Sequence, residues 1–139
     1  MQTQLSFAER LAVATTGLAV LHHVDHVLRV DHSGWPFRPE VTPFTFSLLV
    51  YVLIAGLFLR RAWPRFRIAL AGVLAAVPTL AHVFLETPVD QYLTWAARPD
   101  INLLAVSSPA MGVIAVVITN LLSLFALAVF VALVRSRGI

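Results

Sequence analysis

Four apolar stretches, running from about Phe7 to Val30, Phe44 to Arg61, Ile68 to Glu86 and Pro109 to Val134, take up most of this 139-residue chain. No other feature restricts the fold so strongly. A helix needs roughly 20 residues, at about 1.5 Å each, to cross the hydrocarbon layer of a bilayer. Within that layer every backbone N–H and C=O has to be paired inside the protein, which leaves helices or closed barrels. The alternating pattern of barrel strands is missing. The expected fold is therefore an all-α integral membrane protein, a bundle of four transmembrane helices forming one domain over residues 1–139. With 59% hydrophobic and 12% charged residues, the composition lies outside the usual balance of a soluble domain, and little chain remains for a second folded unit.

The segment from Leu11 to Leu21 has the length of a signal-peptide core, yet no basic stretch precedes it and a His/Asp cluster follows where small cleavage-site residues belong. It reads as a retained helix. Seven of the ten arginines (Arg10, Arg60, Arg61, Arg65, Arg67, Arg135 and Arg137) flank the apolar segments, the pattern that sets membrane orientation. The net charge of +3 thus reports topology, and no basic patch interleaved with stacking aromatics points to nucleic acid. Both termini are expected in the cytoplasm, within the inner (plasma) membrane of a prokaryote. The lipid bilayer is the expected partner, with a membrane-protein partner or a second copy as a further expectation.

Local signals refine this picture. Ser108-Pro109 reads as an N-cap followed by proline at the first helical position of the fourth span. Thr87-Pro88-Val89-Asp90 has the form of a capping box ahead of Tyr92, Leu93 and Trp95, predicting a short interfacial helix in the second outer loop. Trp35, Phe37, Tyr92 and Trp95 read as an outer aromatic belt. Gly17, Gly56, Gly72 and Gly112 read as close-packing positions between helices. Pro78 is a point at which the third helix is expected to bend.

The assumed orientation sorts the ionisable residues as well. All five histidines and six of the seven acidic residues fall in the outer half or outer loops, leaving only Glu9 inside. Measured from the cytoplasmic arginines, His22, His26 and His82 rise roughly 18, 24 and 22 Å at about 1.5 Å per residue. Thr45, Ser47 and Asn120 reach a similar height, so every helix places a polar group in one layer. His22, Asp25 and His26 share one helix face, and His82 and Glu86 are an i, i+4 pair on another. Burying several ionisable groups in a bilayer is costly, and such residues usually face an interior or a water-filled cavity.

With no cysteine and only two methionines, a metal ion here has imidazole, carboxylate or backbone oxygen as ligands, donors suited to zinc, iron or copper(II). The expected metal ligands are His22, His26, His82 and Glu86, with His23, Asp25, Asp31, His32, Asp90 and Asn120 as auxiliary residues; Asp25 is a possible acceptor for a ligating ring N–H. The expected function is metal-dependent redox or hydrolytic chemistry, or metal handling. The spacing His22-x-x-x-His26 is shared with the HExxH metalloprotease helix, but His23 stands where that motif needs its glutamate, which removes a protease reading. Two alternatives stay open. One is a b-type haem held by His82 with His22 or His26 in an electron-transfer anchor. The other is an accessory subunit of a larger membrane complex, or a transporter or proton relay, with a structural polar cluster in which Arg29 pairs Asp25 or Asp31.

Overall fold

The computed structural model describes residues 4–28, 46–59, 63–97, 102–103 and 105–136. Its helices are α1 (Phe7–Leu28), α2 (Val50–Leu57), α3 (Pro64–Phe84), α4 (Pro88–Ala96) and α5 (Ser108–Arg135), with a small antiparallel hairpin (Asn102–Leu103 and Val106–Ser107) ahead of α5. Ala105 turns that hairpin with φ 63°, in the left-handed region.

Three helices, α1, α3 and α5, are long and apolar enough to cross a membrane, which makes this an all-helical membrane protein by length and composition. The expected second span is the point of difference. Among the described residues it comprises helical residues 46–47, a break at Leu48 and Leu49, and the eight-residue α2, with Leu49 N–H donating to Phe46 C=O and Tyr51 N–H to Leu48 C=O across the break; the start of the stretch lies outside the described residues.

The reason these helices bundle lies in a seam of small residues. On α1 the buried positions Ala8, Ala12, Thr15, Ala19 and His22 repeat at steps of four and three. On α5 the same steps run through Ser108, Gly112, Ala115, Thr119, Leu122, Ala126, Val129 and Leu133. Small side chains let helix backbones approach closely, which replaces the hydrophobic drive that lipid does not supply. The larger side chains face outward instead: Val73, Val77, Leu80 and Phe84 form an exposed stripe along α3. Helix α5 is the hub, packing against α1, α3 and α4.

One core cluster joins Ala8 and Ala12 of α1, Ile54 and Leu57 of α2, Leu70 and Leu74 of α3, and Val129 and Leu133 of α5. The start of α1 and the end of α5 therefore lie at the same end of the bundle. Helix α2 runs antiparallel to α1, because its neighbour Ser47 and its own Tyr51 meet His23 near the far end of α1. At the shared end Ser6 and Glu9 form a reciprocal cap on α1, with Ser6 N–H donating to Glu9 Oε2 at 2.8 Å and Glu9 N–H to Ser6 Oγ at 3.3 Å. Glu9 is 3% exposed and faces Arg67 Nη2 at 3.7 Å.

Helix α4 begins at the predicted capping box: Thr87 N–H donates to Asp90 Oδ2 at 3.0 Å, and Asp90 N–H to Thr87 Oγ1 at 3.2 Å. Two details differ from expectation. Helix α5 starts one residue earlier than predicted, with Ser107 as N-cap, and the hydroxyl of Ser108 donates to the backbone carbonyl of Trp95. Trp95 is buried rather than part of an aromatic belt, while Trp35 and Phe37 lie outside the described residues.

The glycines divide in the same way. Gly17 has open space around it, whereas a Cβ on Gly112 would sit 2.8 Å from the backbone oxygen of Tyr92. A backbone atom cannot turn aside. Gly112→Ala is expected to cost about 1–3 kcal/mol and to loosen α4 from α5, which thermal unfolding in detergent would register as a lower midpoint than for Gly17→Ala.

Candidate functional site

The three α1 residues His22, His23 and His26 lie one turn apart or less, so the helix sends them to different neighbours. His22 continues the buried small-residue seam and so points at α5, where its Nδ1 lies 3.1 Å from Thr119 Oγ1. Its other nitrogen, Nε2, is 3.1 Å from Nε2 of His26. His26 Nε2 is in turn 3.2 Å from Glu86 Oε2, and the same carboxylate oxygen lies 3.4 Å from His82 Nδ1. The rings of His22 and His82 meet edge to face at 4.6 Å. All four residues expected as ligands thus converge, two from α1 and two from the end of α3.

Helix α3 makes its half of this arrangement by its ending. It stops at Phe84, two residues short of the predicted boundary, and the N–H groups of Leu85 and Glu86 both return to Ala81 C=O. That turn carries Glu86 back over His82. His22 is 6% exposed, whereas the Glu86 side chain is 26% exposed, so the cluster is closed at α5 and open at the Glu86 side.

The auxiliary residues do not stay together. Asp25 is buried and accepts a 2.8 Å hydrogen bond from the indole Nε1–H of Trp95, so its identified donor is an indole rather than a histidine ring. His23 belongs to another network: its Nδ1–H donates to Ala19 C=O at 2.8 Å, and its Nε2 accepts from Ser47 Oγ at 2.9 Å. Tyr51 Oη lies 2.8 Å from the same Nδ1. This ties the α2 region to α1. Asp90 is exposed and caps α4, while Asp31, His32, Arg29 and Thr45 lie outside the described residues.

Asn120 is corrected. It is exposed and its side chain donates back to Val116 C=O at 2.8 Å. Its neighbour Thr119 takes the place in the layer, because Thr119 lies on the seam of α5 and Asn120 is turned about 100° away from it.

Gln91 was not foreseen. It is fully buried at 0% exposure, and its Nε2 lies 3.0 Å from His82 Nδ1. Its Oε1 has no hydrogen-bond partner among the described residues. The signal available in the sequence was spacing alone: Gln91 and Trp95 form the i, i+4 inner face of α4. Since a buried carbonyl oxygen without a donor costs about 1–3 kcal/mol, this atom marks a place for a further polar group beside His82.

Trp95 supports the layer from outside it. Trp95→Phe removes the side-chain N–H together with the pyrrole half of a buried indole, and is expected to destabilise by about 1–3 kcal/mol through the lost hydrogen bond and the space left behind. A thermal midpoint unchanged from wild type would show that the indole–carboxylate bond contributes nothing.

Two properties bear on which group the cluster can hold. Among the described residues, no three or more His, Asp or Glu side chains stand already arranged around a metal position; the donors face one another. The rings of His22 and His82 stand in edge contact, not set apart as two axial ligands. Comparison of the chain with known protein families, curated proteins and solved structures returns no match, so the cluster is read from its own geometry.

Proposed function

We propose that the cluster of His22, His26, His82 and Glu86 binds one divalent transition-metal ion, zinc, iron or copper(II), and that the protein handles such ions at the outer side of the membrane. The observation that carries this reading is competition for hydrogen. His22 Nε2 and Glu86 Oε2 approach the same atom, His26 Nε2, at 3.1 and 3.2 Å. A neutral imidazole nitrogen has either one hydrogen or one lone pair, so it cannot serve both neighbours well. A cation serves all three at once. Tetrahedral donors bonded to zinc at about 2.0–2.2 Å have mutual separations of roughly 3.3–3.6 Å, a few tenths of an ångström beyond the 3.1–3.4 Å contacts of these atoms, so the side chains need only small shifts and turns toward a common centre.

Surrounding contacts fit the same role. Thr119 orients His22 through Nδ1, as outer partners of ligating histidines do. The amide of Gln91 offers its oxygen beside His82. Glu86, the most exposed ligand, marks the side by which an ion enters. A position left open on the ion would add Lewis-acid or redox chemistry, but storage or transfer needs no such position.

A second reading is favoured by one observation, the unbroken chain of contacts His22, His26, Glu86, His82, Gln91. Such a chain passes protons by exchanging tautomers. Proton movement into vesicles by metal-free protein, lost in Glu86→Gln, would favour the relay. Tight stoichiometric metal without proton movement favours the ion site.

The orientation proposed with this function places both termini in the cytoplasm, with the second apolar stretch contributing a fourth crossing. Support comes from the shared end of α1 and α5 and from the arginines Arg65, Arg67 and Arg135 at that end. Reporter fusions at the two termini test it, and opposite locations would reject it.

The test of the metal reading is elemental analysis of protein purified in detergent without histidine tags, before and after chelation and re-addition of zinc, iron or copper(II). One ion per chain is expected, together with a higher thermal midpoint when loaded.

A further inference from the structure

We infer that the opposite end of the bundle carries a site for an anionic glycerophospholipid, its phosphate against Arg67 and Arg135 and one acyl chain along the groove between α1 and α5. Two adjoining cavities of about 370 and 600 Å³ open there, and both are lined by Arg67, Leu133 and Ser136. The larger continues between the two helices over Leu11, Ala128 and Val131. One wall is thus cationic at the bundle end and the rest is apolar along the span, the layout of a lipid headgroup followed by its tail.

The charge at this end is unevenly matched. Arg67 is held in a side chain only 16% exposed, with Nη2 3.7 Å from Glu9 Oε1, a long contact for an ion pair. Its Nε is buried and has no hydrogen-bond partner among the described residues. Glu9 directs its other oxygen to its own helix cap. A guanidinium has five N–H donors, so this one has capacity beyond Glu9, and Arg135 adds a second, exposed cation at the rim. The first turns of α1 and α3 also lie at this end, so the positive ends of both helix dipoles face it. Basic pockets between spanning helices bind phosphate headgroups on this basis. The metal cluster at the other end plays no part.

The test uses full-length protein, stripped in detergent and then offered phosphatidylglycerol, phosphatidylcholine or inorganic phosphate, with retained ligand read by native mass spectrometry. Phosphatidylglycerol is expected to be retained about tenfold better than phosphatidylcholine, and inorganic phosphate is expected not to compete. The double variant Glu9→Gln/Arg67→Gln removes both charges together, so that neither is stranded, and should abolish the preference for phosphatidylglycerol. Ala128→Phe fills the apolar part while leaving Arg67 in place and should lower retention of both lipids. Equal retention of the two lipids, competition by inorganic phosphate alone, or full phosphatidylglycerol preference in the folded double variant would each overturn the inference.

Discussion

His26→Ala is expected to abolish stoichiometric metal binding, because it removes the atom that the other donors share. Loss of an outer partner of a metal ligand already weakens binding by about 10–100-fold, so removing His26, which touches both His22 and Glu86, should exceed roughly 100-fold. His82→Ala and Glu86→Gln are expected to follow the same course. Thr119→Val should weaken binding less, since it disturbs only the orientation of His22. His23→Ala provides the contrast, for its ring serves Ser47 and Tyr51 instead and metal content should be retained. If His23→Ala and His26→Ala carried the same metal load, the cluster would not be the binding site.

The second large effect concerns stability. Arg67→Ala is expected to cost up to about 3 kcal/mol, the scale on which a buried ion pair is broken by removing one partner. The carboxylate that loses this cation is Glu9, 3% exposed within the core cluster end of α1. Glu9→Gln should cost less than Arg67→Ala, because an amide oxygen still accepts from Ser6 N–H and no lone carboxylate remains buried. Thermal or denaturant unfolding in detergent reads both, and an Arg67→Ala protein as stable as wild type would show that the pair contributes nothing.

How far the candidate site was legible in the sequence turns on the difference between depth and direction. Rise per residue is nearly constant along a helix, so counting from the arginines put His22, His26 and His82 at one height, where the structure brings them together. Direction around the helix is less secure from sequence alone, because apolar residues cover both the lipid face and the bundle face and hide which is which. That is why the count of heights selects Asn120, whereas the structure places Thr119 against His22. The small-residue steps Gly112, Ala115, Thr119, Leu122 mark the inner face, and Asn120 falls outside them. Trp95 misled for a related reason: an amphipathic ring suits either an interface or a buried hydrogen bond, and only its contact with Asp25 decides between them.

Hydropathy, arginine placement and the Thr87–Asp90 capping box were sufficient on their own to establish an apolar helical protein, the height of its histidine layer and the start of α4, since each rests on the local free energy of a short segment in lipid or at its surface. The tertiary structure decided the rest. It broke the second apolar stretch at Leu48 and Leu49, sent His23 and His26 to different neighbours, turned Glu86 back over His82 and brought in Gln91 from a helix of its own. Those outcomes depend on how closely small residues let α1, α3 and α5 approach, a property of pairs of helices that no single segment carries.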